Sequence, residues 1–300
     1  MSLTGQRKNP KKGDTELEQF YHCSQAYLDH LKRKDEETFG SYIKVCKQLI
    51  PAGATILDCG CGIGMSSYLL TKERFKVTGT DISPLFISEA KRKYGNGQNL
   101  KFFVQDVSKM SFPDCSFDAV CSIAMLEHVT DVEGVLEEMR RVLKNRGRLI
   151  IFMPNHLDPV EHLIACIRRS KKDTYKPWEA TSRIKAFCQF IRTGFLAIAK
   201  AAGINKKIYY IEPVLSNDEN VCGEDFDTTW LANWFDVENI LRRLGFSIED
   251  TISSRNFKSR IVRAMRVLGL PKGLQSFYVK IRTTCVAVAV KNESSSTSRT

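Results

Sequence analysis

Ile56-Leu57-Asp58-Cys59-Gly60-Cys61-Gly62-Ile63-Gly64 decides how this chain folds: an apolar run ends in an acid, and three glycines follow at every second position. A strand that delivers an acid into a Gly-x-Gly-x-Gly turn suits a nucleoside-bearing ligand at its carboxyl end. The glycines let the backbone turn sharply and come close to the ligand, where a Cβ would collide with it. A dinucleotide fingerprint would read Gly-x-Gly-x-x-Gly and place its third glycine at residue 65, which here is Met65. The spacing therefore points to a different nucleoside cofactor.

Outward from this turn, short β-branched runs alternate with helical periodicity between Ala54 and Phe152. That is the pattern of a parallel sheet covered by helices on both faces. Val132, Val135, Leu136, Met139, Val142 and Leu143 fall at helical spacing, with Glu133, Glu137, Glu138, Arg140 and Arg141 on the other side. Asp131 is placed to cap the start of this helix, and Gly147 lies just beyond its expected end. Asp58, Asp81 and Asp106 each close a predicted strand. In such sheets ligands sit outside the carboxyl ends of the strands, where strand order reverses. Three acids at one rim repel one another unless hydrogen-bond donors lie between them. Ribose hydroxyls, an adenine amine and a methionine ammonium are all donors.

These stretches resemble the class I S-adenosylmethionine-dependent methyltransferases, in the broad branch that includes the quinone-biosynthesis enzymes. Asp58 to Gly64 matches their acid-x-Gly-x-Gly-x-Gly signature, and Phe75-Lys76-Val77-Thr78-Gly79-Thr80-Asp81 matches their second strand. Phe102-Phe103-Val104-Gln105-Asp106 matches the third strand, and Phe117 to Ser122 followed by Leu126-Glu127-His128-Val129 the fourth and its loop. Leu143 to Phe152 matches the turn into the fifth. The resemblance covers residues 54 to 154 without a gap. It implies that Asp81 holds the ribose hydroxyls and that Asp106 meets the adenine amine. It also implies an α/β fold: a Rossmann-like, doubly wound, seven-stranded sheet whose last strand is antiparallel; the stretch from Asn155 to Trp230 has no counterpart in the minimal fold and reads as a mostly helical insertion. The last strand is Thr284 to Val290, expected beside the fifth.

The cofactor expected is S-adenosyl-L-methionine, and the candidate residues for holding it are Asp58, Gly60, Cys61, Gly62, Asp81, Ile82, Asp106, Val107, Ser122 and Ile123. Plain structural roles stand beside these. An aspartate ending a strand also forms turns, Asp106-Val107-Ser108 reads equally as a capping turn, and Cys59 and Cys61 serve as small apolar fillers. His128, just after the fourth strand, is the candidate catalytic base; its structural alternative is a hydrogen bond that shapes the Glu127-His128 turn. Asn155, His156 and Asp158 follow the fifth strand and are placed to meet an acceptor. His22 and His30 look peripheral, whereas Tyr21 and Tyr27 could close over the cofactor. The five histidines form no metal-ligand pattern, so no metal is expected.

The chain reads as a basic, disordered start (1–14), N-terminal helices with the cofactor-binding core (15–154), a basic helical lid or acceptor insertion (155–230), the rest of the core (231–291) and a Ser/Thr-rich disordered tail (292–300). Ten scattered cysteines, with no Cys-x-x-Cys and no apolar leader, suggest reduced thiols in the cytoplasm. No apolar stretch reaches the roughly 18 residues of a spanning helix. Trp234 to Gly245 reads as a helix capped by Asp236 and Gly245, and Phe246 to Ser253 as a strand.

The formal charge of +11 is concentrated. Residues 155–210 carry eleven Lys/Arg against four acids, and the insertion at 254–282 carries eight and no acid, so the remainder is mildly acidic. Both segments look amphipathic. Ile184, Phe187, Cys188, Ile191, Phe195 and Ile198 share one helical face and Lys185, Gln189, Arg192 and Lys200 the other. Phe257, Ile261, Ala264, Met265 and Leu268 form a second apolar face. Such helices lie in an anionic membrane interface, or else pack their apolar sides on the domain and solvate the basic ones. The expected function is methyl transfer to an O, N or C atom of a small-molecule or lipid-like acceptor, with an anionic membrane surface as a candidate partner. A catalytically inactive cofactor-binding protein and a nucleic-acid methyltransferase are the alternatives. Against nucleic acid, Ser122-Ile123-Ala124-Met125 stands where an Asn/Asp-Pro-Pro-Tyr/Phe tetrapeptide would be, and the basic segments hold few stacking aromatics. The sequence sets no oligomeric state.

Overall fold

The computed structural model describes residues 12–159, 183–217, 226–249, 271, 277, 280 and 285–293. Outside these lie most of the expected basic start and tail, the Arg168–Lys176 part of the first basic segment, and the whole amphipathic face from Phe257 to Leu268.

Three helices come first: α1 (Lys12–Cys23), α2 (Gln25–Lys32) and α3 (Glu36–Leu49). The core then alternates β1 (Thr55–Cys59), α4 (Met65–Lys72), β2 (Lys76–Asp81), α5 (Pro84–Tyr94), β3 (Leu100–Val104), β4 (Phe117–Ile123), α6 (Val132–Val142) and β5 (Leu143–Met153). A long helix α7 (Arg183–Ala201), α8 (Trp234–Arg243), β6 (Phe246–Ile248) and β7 (Cys285–Lys291) follow. The seven strands form one sheet in the order β3-β2-β1-β4-β5-β7-β6. β1 to β5 pair in parallel, and β7 runs antiparallel to β5 with Arg148 opposite Val290 and Met153 opposite Cys285. This is the doubly wound sheet with a reversed last strand that the sequence implies.

Strand order reverses between β1 and β4, which opens a crevice at their carboxyl ends. Alternate residues of the parallel strands feed two apolar layers, so both faces of the sheet are covered. Leu57, Val120, Leu149 and Ile151 pack with α6 and α8 on one side. Ile56, Ala119, Cys121 and Ile150 pack with α3, α4 and α5 on the other.

Several local expectations change. β3 ends at Val104, so Asp106 sits in the turn beyond it rather than closing the strand. Asp131 does cap α6, accepting from the Gly134 N–H at 3.0 Å. Gly147, however, is no helix cap: it lies inside β5, and Arg146 before it takes the positive φ. Asn233, not Asp236, caps α8, because the Asn233 Oδ1 accepts from the Asp236 N–H. Gly245, at φ +76°, follows the end of that helix as expected.

Candidate functional site

The Gly60-Cys61-Gly62-Ile63-Gly64 turn leaves β1 with all three glycines at positive φ, a conformation that costs other residues strain. A Cβ on Gly60 would lie 2.3 Å from Met125 Cγ, so the turn after β4 closes directly over this one. The Gly60 and Cys61 N–H groups both donate to Thr80 O, which ties the turn to β2.

A cavity of about 410 Å³ opens at these strand ends, within the range that takes a nucleoside-sized ligand. Of the sequence-derived set, Gly60, Cys61, Gly62, Asp81, Ile82, Asp106, Val107 and Ile123 line it, as does His128. Asp81 is held by two backbone donors: Gly62 N–H to Oδ2 at 2.9 Å and Ser83 N–H to Oδ1 at 3.0 Å. Each oxygen has capacity for another donor, as ribose hydroxyls require. Burial pushes the Asp81 carboxyl above the ordinary range, against the pull of those backbone bonds. Asp106 accepts from the Ser108 N–H at 2.8 Å through Oδ1. The capping turn and the cavity position thus hold together.

Asp58 and Ser122 are not brought to the cavity wall. Asp58 is fully buried and points away into the packing of α3 and α4, accepting from Tyr42, Ser66 and Ser67 hydroxyls at 2.9, 2.6 and 2.7 Å. Desolvation raises its carboxyl pKa despite those three bonds. Ser122 is buried in β4. Asn155, His156 and Asp158 are also buried and do not line the cavity; the Asn155 amide donates to Lys280 O.

Around His128, which lines the same cavity, stands a cluster that sequence spacing does not reveal. His128 Nδ1 lies 3.5 Å from Asp227 Oδ2, and Nε2 lies 3.7 Å from Glu127 Oε1, contacts slightly longer than hydrogen bonds. The Tyr21 hydroxyl donates to Asp227 Oδ2 at 2.5 Å. Burial first, and then Asp227, push the Tyr21 phenol well up, which keeps it a donor. Tyr21 and Tyr27 both line the cavity, so α1 and α2 cover it. They are fastened there by the Ser83 hydroxyl donating to Tyr21 O and by His22 Nε2 lying 3.0 Å from Ile82 O.

Asp227 reaches His128 because residues 226–233 brace the turn after β4. Thr229 N–H donates to Glu127 O, its hydroxyl to Val129 O at 2.6 Å, and Trp230 Nε1 to Leu126 O at 2.8 Å. Among the described residues no group of three or more His, Cys, Asp or Glu could hold a metal.

This combination of reversed last strand, glycine turn and acid-lined cavity is that of the class I S-adenosylmethionine-dependent methyltransferase fold, whose cofactor is S-adenosylmethionine. Residues 57–151 match the family described as a methyltransferase domain. Over 110 residues the chain is 41% identical to 2-methyl-6-phytyl-1,4-hydroquinone methyltransferase of Synechocystis sp., covering 36% of this chain and 35% of that protein. Over 106 residues it is 41% identical to a sterol 24-C-methyltransferase of Gibberella zeae, covering 33% and 27%. The chain thus spans about a third of the length of these curated relatives. In fold it is similar to Burkholderia thailandensis 1,6-didemethyltoxoflavin-N1-methyltransferase, solved with 1,6-didemethyltoxoflavin and S-adenosylhomocysteine. That likeness has a TM-score of 0.53 at 13% identity and covers 97% of this chain and 95% of that one.

Proposed function

We propose that this protein moves a methyl group from S-adenosylmethionine to an O, N or C atom of a small-molecule or lipid-like acceptor of the quinone or sterol kind. The observation that carries the reading is one cavity lined by Asp81 and Asp106 together with His128; we assign the nucleoside to the two acids and the proton to the histidine. The matched relatives, named for a phytyl hydroquinone and a sterol, support the acceptor class.

When bound, the cofactor supplies an electrophilic methyl group on a sulfonium. The chain's own residues then have three tasks. Asp81 takes the ribose hydroxyls, Ile82 and Val107 flank the adenine, and Asp106 accepts from its amine. Gly60, Cys61 and Gly62 offer a backbone that lies close to the ligand, while Asp58 acts from behind by fixing α4 against β1. Ile123, at the end of β4, lines the cavity and would meet the methionine part, with Ser122 buried behind it.

His128 accepts the acceptor's proton, and the flanking Asp227 and Glu127 carboxylates stabilise the imidazolium that results. Tyr21 and Tyr27 exclude water from the reacting atoms. The reading locates the protein in the cytoplasm, attached peripherally to an anionic membrane surface where such an acceptor resides. The concentration of charge in 155–210 and 254–282 supports this. Among the described residues no helix is long and apolar enough to cross a membrane.

The test is transfer of label from methyl-labelled cofactor into a lipid and metabolite extract. Label in an apolar quinone or sterol fraction is expected. Tight cofactor binding with no label in any fraction would reduce the protein to a binding module, and label in nucleic acid would replace the acceptor class.

A further inference from the structure

α7 is built inside out. Five large apolar side chains, Ile184, Phe187, Ile191, Phe195 and Ile198, follow one another at helical spacing and are all exposed, Ile184 at 79% and Phe195 at 70%. The opposite face, at Thr193, Ala197 and Lys200, is buried against the domain. The Lys200 ammonium is fully enclosed, donating to Asp236 Oδ1 at 2.5 Å and to Lys207 O at 2.9 Å. A solvated helix would do the reverse, with lysine outward and phenylalanine inward. The buried pair locks the helix in this rotation, because turning it would strand Asp236 without its cation.

The exposed stripe, from Ile184 to Ile198, spans about 21 Å of a 19-residue helix. Ile204, just past the helix end, is 81% exposed as well. A contiguous apolar surface of this size marks an interaction site. Its surroundings select the partner. Arg183, Lys185 and Arg192 sit within the helix, Lys206 and Lys207 follow it, and no Asp or Glu occurs between Arg183 and Ile211. A second copy of a chain carrying +11 would bring like charge to this face. An anionic bilayer offers acyl chains to the stripe and headgroup charge to its basic edges at once.

We propose that α7 is an interfacial membrane helix that enters the headgroup region of an anionic bilayer through Ile184, Phe187, Ile191, Phe195 and Ile198. The buried Lys200–Asp236 pair holds that face outward. This deepens the membrane-associated reading above, and cofactor binding is measured alongside so that the two can fail separately.

The experiment is co-sedimentation of the whole protein with phosphatidylcholine vesicles, with and without phosphatidylglycerol, at about 0.1 M and 1 M salt. Over that range the Debye length falls from about 10 Å to about 3 Å. The wild type is compared with a Phe187→Ser/Phe195→Ser variant and a Lys185→Gln/Arg192→Gln variant. Thermal unfolding and calorimetry with S-adenosylhomocysteine are run on each. Wild-type binding to anionic vesicles is expected, weakened at least tenfold by the serine pair and several-fold by the glutamine pair or by salt. Melting temperature and cofactor affinity are expected to stay unchanged.

Absent vesicle binding, or binding indifferent to both variants, overturns the proposal. So does a serine variant that melts markedly lower, because the stripe would then be covered within the protein. Dimers that dissociate in that variant would assign the face to a second copy instead. Unchanged vesicle behaviour with lost cofactor binding would sink the methyltransferase reading alone.

Discussion

α6 and α7 are both amphipathic, and they point opposite ways. α6 buries Val132, Val135, Leu136, Met139 and Val142 completely or nearly so and carries its glutamates and arginines on the opposite, exposed to half-buried side. α7 exposes Phe187, Phe195 and its isoleucines and buries a lysine. Periodicity establishes that a helix has two faces; what those faces meet is set by the rest of the fold. For α6 the neighbours are the apolar sides of β4 and β5. For α7 the decisive neighbour is one carboxylate, Asp236, in the first turn of α8.

The sharpest way to break this comparison is to remove that carboxylate's partner. Lys200→Met should cost about 3–5 kcal/mol, since a buried charge is left unpaired, and adding Asp236→Leu should recover most of it. Denaturant unfolding measures both, and a loss below about 1 kcal/mol in the single variant would show that the pair does not orient α7.

His128→Ala should lower turnover about a hundredfold or more while leaving S-adenosylhomocysteine affinity nearly intact, the signature of a proton acceptor. A fall of only a few fold in turnover would leave alignment as the mechanism and give His128 a structural role.

Asp81→Asn should weaken cofactor binding by about 1.5–3 kcal/mol, the worth of hydrogen bonds to a charged group. Its raised pKa sets the pH dependence. The ribose hydroxyls donate to the ionised carboxylate, so affinity is full above that pKa and declines as pH falls through it. Because burial and nearby Asp58 lift the pKa, the decline should begin above the ordinary carboxylate value of about 4. Calorimetry from pH 8 downward should show this decline in the wild type and not in the asparagine variant.

The smallest effect sharpens the comparison best. Phe195→Ser should change stability by no more than about 0.5 kcal/mol, as for a surface position, whereas Leu136→Ala in α6 should cost about 2–5 kcal/mol. Similar losses at the two positions would mean that the two helices are not inverted after all.

The sequence was most legible where function constrains short spacing. The glycine turn and the cavity positions of Asp81 and Asp106 follow from motifs a few residues long, and the doubly wound sheet with its reversed last strand follows from the resemblance that they carry. Asp58 shows the limit, because the same acid that ends the apolar run turns inward to two serines of α4 and Tyr42. Asp227 was illegible for a different reason. It approaches His128 only because Thr229 and Trp230 brace a distant turn, and no local pattern records such a contact. The cap of α8 was misread because Asn233 and Asp236 are both good capping residues, and only the buried lysine shows which one is otherwise engaged.

The walls of the cavity come from Tyr21 near one end of the chain and from the strand ends in its middle, and Asp227, far along the chain, clasps Tyr21 from behind the wall. No fragment holds that space, so a ligand filling it reports on the whole chain at once. At a hundred times its dissociation constant, S-adenosylhomocysteine should add about 2.7 kcal/mol to global unfolding. Protease cuts at sites as far apart as α2 and α8 should then slow together. A Tyr21→Phe chain, lacking the clasp, should let the α2 site lose its protection first.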